Sequence, residues 1–223
     1  MIDLKKSLEY FKPSDLGSSR CHIIGCGSVG GNIAVNLARL GVTKMTLYDF
    51  DRVESHNIAN QVFRQKDIGE YKIDALAEIL NDINPDMNLK LVYDGWTGQK
   101  LSGYVFVAPD SIDVRRQIVT ENQYNTGIKA MFDFRTRLED AQTFAADWQV
   151  PEDIENFFAS MDFTHEEATA ATPVSACGTT LGVGSIPRLI ADIGVNNWLN
   201  FVRGKDLRKI IIVDGFNFAI NAF

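Results

Sequence analysis

Several features are scarce in this 223-residue chain, and each absence removes a class of protein. No run of about 18 apolar residues occurs, so no membrane-spanning helix is predicted. The opening MIDLKKSLEYFKP is charged and lacks the apolar centre of a secretory signal. There are three cysteines (Cys21, Cys26, Cys177), an odd number with no CxxC pair. This points away from a disulfide framework or a zinc knuckle and towards a reducing compartment, so a cytoplasmic protein is expected. Three histidines (His22, His56, His165) are too scattered for a metal motif, and no zinc is expected. Lys and Arg are missing altogether from Leu138 to Pro187, a stretch that holds nine acids. Those nine exceed the whole net charge of −7, so the acidity belongs to this stretch and the remainder is near neutral. A field of that sign repels nucleic acid and suits a basic protein partner or a solvated surface lobe.

What is present reads as alternating strands and helices. RCHIIG is a short buried strand. GSVGGNIAVNLARLG is a helix with Val29, Ile33, Leu37 and Leu40 in phase and Gly41 as its stop. KMTLYDF is a second strand, and YKIDALAEILNDINP is a helix closed by Pro85. NLKLVYD, GYVFVAPD and GIKAMFDF are further strands, with a helix, SIDVRRQIVTENQYN, between the last two. This order predicts an α/β, Rossmann-like domain over residues 1–223, with a largely parallel sheet and helices on both faces. RTRLEDAQTFAADW and KIIIVDGFNFAINAF read as antiparallel C-terminal strands, with a helix over IPRLIADIGVNNWLNFVRG before the latter. Residues 2–11 carry Ile2, Leu4, Leu8 and Phe11 at the spacing of a short amphipathic helix ended by Pro13. Gln149 to Pro173 has no strong period and is expected to be an irregular acidic crossover.

Gly25-x-Gly27-x-x-Gly30 follows a strand and opens a helix, the context in which a glycine-rich turn cradles phosphate. The helix N-terminus adds free N–H groups and the positive end of a dipole. Asp49 ends the next strand, where a carboxylate accepts hydrogen bonds from ribose hydroxyls. No Lys-Ser/Thr follows the glycines, which excludes a P-loop. These features alone fit an NAD-dependent oxidoreductase as well as an ATP enzyme. The segment after Asp49 is long for a connector and dense in Asp, Arg, His, Asn and Gln. It ends on Lys72 at a helix start, an unfavourable place for a cation unless an anion lies nearby.

The pattern Asp49-Phe50-Asp51-x-Val53-x-x-x-Asn57-x-x-x-Gln61, then Gly69-x-x-Lys72, resembles the ThiF/MoeB/HesA superfamily of ubiquitin-activating-type adenylyltransferases. Asp110 with Arg115, Arg137-Leu138-Glu139, and KIIIVDG resemble further motifs of that family, so the likeness runs along nearly the whole chain. It implies ATP and Mg²⁺, with Gly25, Gly27 and Gly30 on the phosphates and Asp49 on the ribose. Asp51, Asn57, Gln61 and Lys72 would complete the nucleotide site, and Asp110 would hold Mg²⁺. It also implies a ubiquitin-like or sulfur-carrier protein, or a peptide, whose C-terminal carboxylate is activated. A homodimer is expected, with neither nucleic acid nor membrane as partner.

Two departures stand out. Asn60-Gln61 replaces the family's Arg-Gln, and Arg64 is the candidate substitute for that arginine. Ser111 stands where the family has Asn. Cys177, ahead of a helix, is either a thioester-forming nucleophile or a small packed side chain. Cys21, Cys26 and His22 read as structural, and His56 as an exposed loop residue. Arg137 is either a substrate contact or the partner of Glu139 or Asp140, and of Arg115 and Arg116 at most one can face the site. Beside the adenylyltransferase stand a nucleotide-binding scaffold subunit, an enzyme for a small-molecule or RNA-linked carboxylate, and an NAD-dependent oxidoreductase.

Overall fold

A computed structural model describes residues 2–164, 166, 167, 182 and 184–223. Among the described residues eight strands form one sheet: β1 (Cys21–Ile24), β2 (Lys44–Tyr48), β3 (Asn88–Val92), β4 (Gly103–Val107), β5 (Ile128–Thr136), β6 (Asp140–Asp147), β7 (Ile210–Asp214) and β8 (Ala219–Ala222). Their order is β3-β2-β1-β4-β5-β6-β7-β8. The first five are parallel and the last three run antiparallel. The order reverses between β1 and β4, which opens a crevice beyond their C-terminal ends, where open α/β sheets bind ligands.

Among the described residues the α-helices are α1 (Gly30–Arg39), α2 (Lys72–Ile83), α3 (Ile112–Asn122), α4 (Pro151–Ala159) and α5 (Ser185–Val202). Side chains of α1, α2 and α5 share one apolar cluster with Cys21, Ile23, Met45, Leu47, Phe106 and Phe132. Those of α3 and α4 join Ile24, Tyr48, Val105, Val107 and Met131 on the other face. The alternation of Ile23 with Ile24 and of Phe106 with Val107 is the two-residue period of a strand buried on both sides. Trp198 is fully buried, with edge-on contacts to Phe11 and Tyr104 at 5.7 Å. The α/β prediction therefore holds, with helices on both faces and antiparallel C-terminal strands.

Two local expectations are corrected. Residues 5–10 form successive turns rather than an α-helix, and Pro13 starts a 3-10 helix (Pro13–Leu16). Ten residues are too few to hold a helix on propensity alone. Phe11 is anchored on Trp198 and Leu4 lies over Gly41, while Leu8 stays exposed. The acidic crossover is also not irregular throughout, because α4 occupies its first part. Pro151 takes the first helical position, and Glu152 and Asp153 in the first turn complement the helix dipole. Phe157 then packs edge-on against Trp148 at 5.9 Å. Among the described residues no helix is long and apolar enough to cross a membrane.

Candidate nucleotide and acyl site

A cavity of about 1150 Å³ lies in the crevice at the β1–β4 reversal. It is bounded by the glycine turn, the ends of β2 and β4, the start of α3 and the β5–β6 hairpin. At its floor the three glycines differ in what they do. Gly25 has φ +84°, and a Cβ there would lie 2.6 Å from the Ala108 carbonyl oxygen of the β4 end. A Cβ on Gly30 would overlap the Gly25 carbonyl, and Gly30 does not line the cavity. Gly27 does line it, and its Cβ position is open, with Gln61 Oε1 nearest at 3.9 Å. Gly25 and Gly30 thus build the turn, and Gly27 leaves room for a ligand. The N–H groups of Gly27 and Ser28 have no acceptor among the described residues.

Asp49 is buried beside this turn. Its Oδ2 accepts the Cys26 N–H at 2.7 Å and its Oδ1 accepts the Asp51 N–H at 2.9 Å. Burial pushes its carboxyl above the usual range, although these two N–H donors pull the other way. Two accepted bonds leave a carboxylate further lone pairs for hydroxyl donors.

The polar segment after Asp51 folds back on itself. Arg52 bridges Tyr71, the Val53 N–H donates to the Glu70 carbonyl at 2.8 Å, and the Gly69 N–H donates to the Val53 carbonyl at 2.9 Å. This closure brings Lys72, at the first position of α2, onto Asp51: Nζ lies 2.6 Å from Oδ2. The anion that a lysine needs at a helix start is therefore supplied by the chain itself. Asn57 is buried and does not line the cavity; its Oδ1 accepts the Glu54 N–H at 2.9 Å. Gln61 does line the cavity, and its Oε1 is buried without a partner among the described residues, as is Asn60 Oδ1.

Arg64 lies elsewhere. Its guanidinium binds Asp67 at 3.0 Å, Glu78 at 3.0 Å and Asp82 at 3.4 Å, and it is not part of the cavity wall.

On the far side of the glycine turn, Asp110 is exposed in the cavity wall, with no hydrogen bond or ion pair to another described residue. Ser111, one residue on, caps α3 by accepting the Val114 N–H on its hydroxyl at 3.3 Å. Arg115 is buried and binds the Asp133 carboxylate, the Phe134 carbonyl at 2.8 Å and the Pro109 carbonyl. It therefore fixes the turn that carries Asp110. Arg116 points away, to the Met161 carbonyl at 2.6 Å, so only one of the adjacent pair faces the site.

Asp133 and Arg135 were not singled out from the sequence. The available signal was an acid inside the otherwise apolar strand GIKAMFDF. Asp133 is fully buried and also binds Arg135 Nε at 2.7 Å. Arg135 in turn holds the Ser160 carbonyl at 2.7 Å and lies over the Phe144 ring, 4.2 Å from its centroid.

The remaining candidates divide. Burial pushes the Cys21 thiol to about 12 and the Cys26 thiol well up, so neither is a thiolate nucleophile. His22 is buried and neutral: Nε2 accepts the Ser102 N–H at 3.3 Å, which leaves Nδ1 to donate to the Tyr48 oxygen at 2.9 Å. His56 is exposed beside Glu54 at 3.5 Å. Cys177 and His165 lie outside the described residues. Among the described residues no cluster of three metal-ligating side chains occurs. A lone carboxylate such as Asp110 suits Mg²⁺ when the remaining ligands come from phosphates and water.

The ThiF family profile matches residues 12–218. The chain belongs to the ThiF family. Among curated ThiF-like relatives it is 41% identical over 68 residues to ubiquitin-like modifier-activating enzyme 5 of Oryza sativa, which is 30% of this chain and 16% of that one. It is 36% identical over 77 residues to the ATP-dependent ubiquitin transferase-like protein Cap2 of Enterobacter hormaechei, covering 34% of this chain and 13% of the relative. The chain thus aligns with less than a fifth of each of these relatives. Among solved structures, PaaA superposes with a TM-score of 0.72 at 17% identity, covering 95% of this chain and 65% of PaaA. Escherichia coli MccB solved with ATP superposes with a TM-score of 0.68 at 17% identity, covering 95% and 65%. These likenesses establish the fold.

Proposed function

We propose that this chain is an adenylyltransferase that uses ATP to activate the C-terminal carboxylate of a small protein or peptide. The observation that carries the reading is one continuous cavity. It runs from Gly27, Asp49, Gln61, Lys72 and Asp110, read here as the nucleotide cradle, to a second arm floored by the β5–β6 hairpin. Membership of the ThiF family supports it, as do relatives named as ubiquitin-like modifier-activating enzymes and the MccB structures with ATP and with MccA.

In this reading Asp49 accepts the ribose hydroxyls, and the free N–H groups at Gly27 and Ser28 face the phosphates. Gln61, whose unpaired Oε1 is assigned only by amide orientation, turns its amide group to the same ligand. A substrate carboxylate oxygen attacks the α-phosphorus, the bond to the β-phosphate oxygen breaks, and pyrophosphate leaves. Lys72 meets the charge that builds on the phosphates, and Asp110 offers the protein's ligand to Mg²⁺, which when bound neutralises the leaving pyrophosphate. No general base is required, because a carboxylate is already ionised at neutral pH.

ATP–pyrophosphate exchange with Mg²⁺ and a panel of C-terminal peptides tests the proposal, using wild type, Lys72→Ala and Asp110→Ala. Exchange that depends on both side chains supports it, and NADH binding without ATP binding would overturn it. A second reading, a nucleotide-binding subunit without turnover, has its own observation. Lys72, Arg115 and Arg135 are each already paired with a carboxylate of the protein, and Asn60 stands where the family has arginine. ATP binding with no exchange for any carboxylate would favour it.

A further inference from the structure

Four cationic side chains line the cavity: Lys72, Arg115, Arg135 and Arg137. The first is held by Asp51, and the next two by Asp133. Arg137 alone has no ion pair among the described residues; neither Glu139 nor Asp140 takes its guanidinium. Its root is nonetheless fixed, because its N–H donates to the Asp140 carbonyl at 2.8 Å across the tight β5–β6 turn.

The position of Arg137 sets what it can meet. Asp49 follows β2 and Arg137 follows β5, three ladder spacings apart in the order β2-β1-β4-β5, or about 14 Å. A nucleotide with its ribose at Asp49 runs across the glycine turn to Asp110, which follows β4. Arg137 lies one strand further on, past the reacting phosphorus, where the acyl substrate must extend. The wall there is built of alternate residues of β6, Asp140, Gln142 and Phe144, which share one face of the strand. The cavity is also larger than the roughly 300–1,000 Å³ of ordinary small-ligand sites, which leaves space for several residues of a chain beside the nucleotide.

We infer that Arg137 is a specificity residue that pairs with an acidic side chain close to the C-terminus of the acyl substrate. The inference rests on the adenylation reading for the direction of the substrate. Asp140 and Glu167 line the same arm and repel an acid placed at their level, so only one register of an acidic tail is favourable.

The test uses fluorescein-labelled heptapeptides in which a single Asp is moved through the last four positions, each compared with its Asn counterpart. Anisotropy with the full chain measures binding, and ATP–pyrophosphate exchange is read on the same peptides. For wild type, one Asp position should bind about three- to fivefold tighter than Asn, the scale of an ion pair open to water. Arg137→Gln should abolish that preference, and Arg137→Glu should transfer it to a peptide with Lys at the same position, with ATP affinity unchanged in both. A preference that survives Arg137→Gln, or no preference at any position, overturns the inference, as does a loss confined to ATP affinity. Selective binding without exchange upholds Arg137 and removes the adenylation reading instead.

Discussion

Lys72 is joined to Asp51 twice, through Nζ to Oδ2 at 2.6 Å and through its backbone N–H to the Asp51 carbonyl at 2.9 Å. The ammonium is almost covered while the carboxylate is half exposed, at 11% and 49%. The pair therefore aims the lysine more than it stabilises the fold. Half-exposed ion pairs contribute about 0–1 kcal/mol, whereas removing a group that meets transition-state charge costs about 10²–10³ in rate. Lys72→Ala is expected to lose exchange activity on that scale while its urea midpoint changes little. A large fall in stability with activity retained would reassign Lys72 to the scaffold.

Asp133 makes the opposite prediction. It is fully buried, and its two oxygens pair with Arg115 and Arg135. Asp133→Ala strands two guanidinium groups in the interior, and breaking a buried pair costs about 3–5 kcal/mol. Denaturant unfolding should show a loss of that order. A loss below about 1 kcal/mol would mean that water or another carboxylate takes its place.

Arg64 separates structure from function. Asp67 is buried, which pushes its carboxyl up, and hydrogen bonds from Arg64 more than reverse this, so it lies below the usual range. Arg64→Ala leaves that carboxylate short of partners, at a cost of about 1–2 kcal/mol. Stability is expected to fall with the affinity for ATP intact. Weakened ATP binding at unchanged stability would return Arg64 to the phosphates.

His22 should give the protein a pH dependence of its own. Burial, aided by Arg20 and Lys90, lowers its pKa from 6.5 to about 4 against the opposing bond from Ser102. Between those values the unfolded chain binds the proton and the native chain does not, so stability falls as pH falls through this window. The slope is about 1.4 kcal/mol per unit and vanishes below the folded pKa. Comparing unfolding of wild type and His22→Gln from pH 7 to 4 isolates it, and equal slopes would show that His22 protonates without penalty.

The parts of the site legible in the sequence were the local ones. The glycine turn, Asp49 and the helix start at Lys72 lie in order along the β1-α1-β2-α2 stretch, and their spacing carries their meaning. The partners were not legible. Asp51 meets Lys72 only because the intervening residues close through the Arg52–Tyr71 bridge, and Asp133 meets Arg115 only when α3 packs on β5. The helix α4 escaped notice because Gln149 to Pro173 taken as a whole has no strong period, although Pro151-Glu152-Asp153 is a helix start. Asn57 carried the right residue type, but the fold uses its side-chain oxygen on Glu54.

Strand β5 runs parallel to β4 and antiparallel to β6, with Asp133 paired to Val107 on one side and Phe144 on the other. The seam of the sheet is thus also the boundary between the cradle and the arm. In evolutionary terms the two sides can drift at different speeds. On the adenylation reading the parallel half would be bound by the fixed shape of a nucleotide, while the hairpin could be rewritten, residue by alternate residue, without touching the glycine turn. On that reading, a lineage built this way would change clients by changing one hairpin.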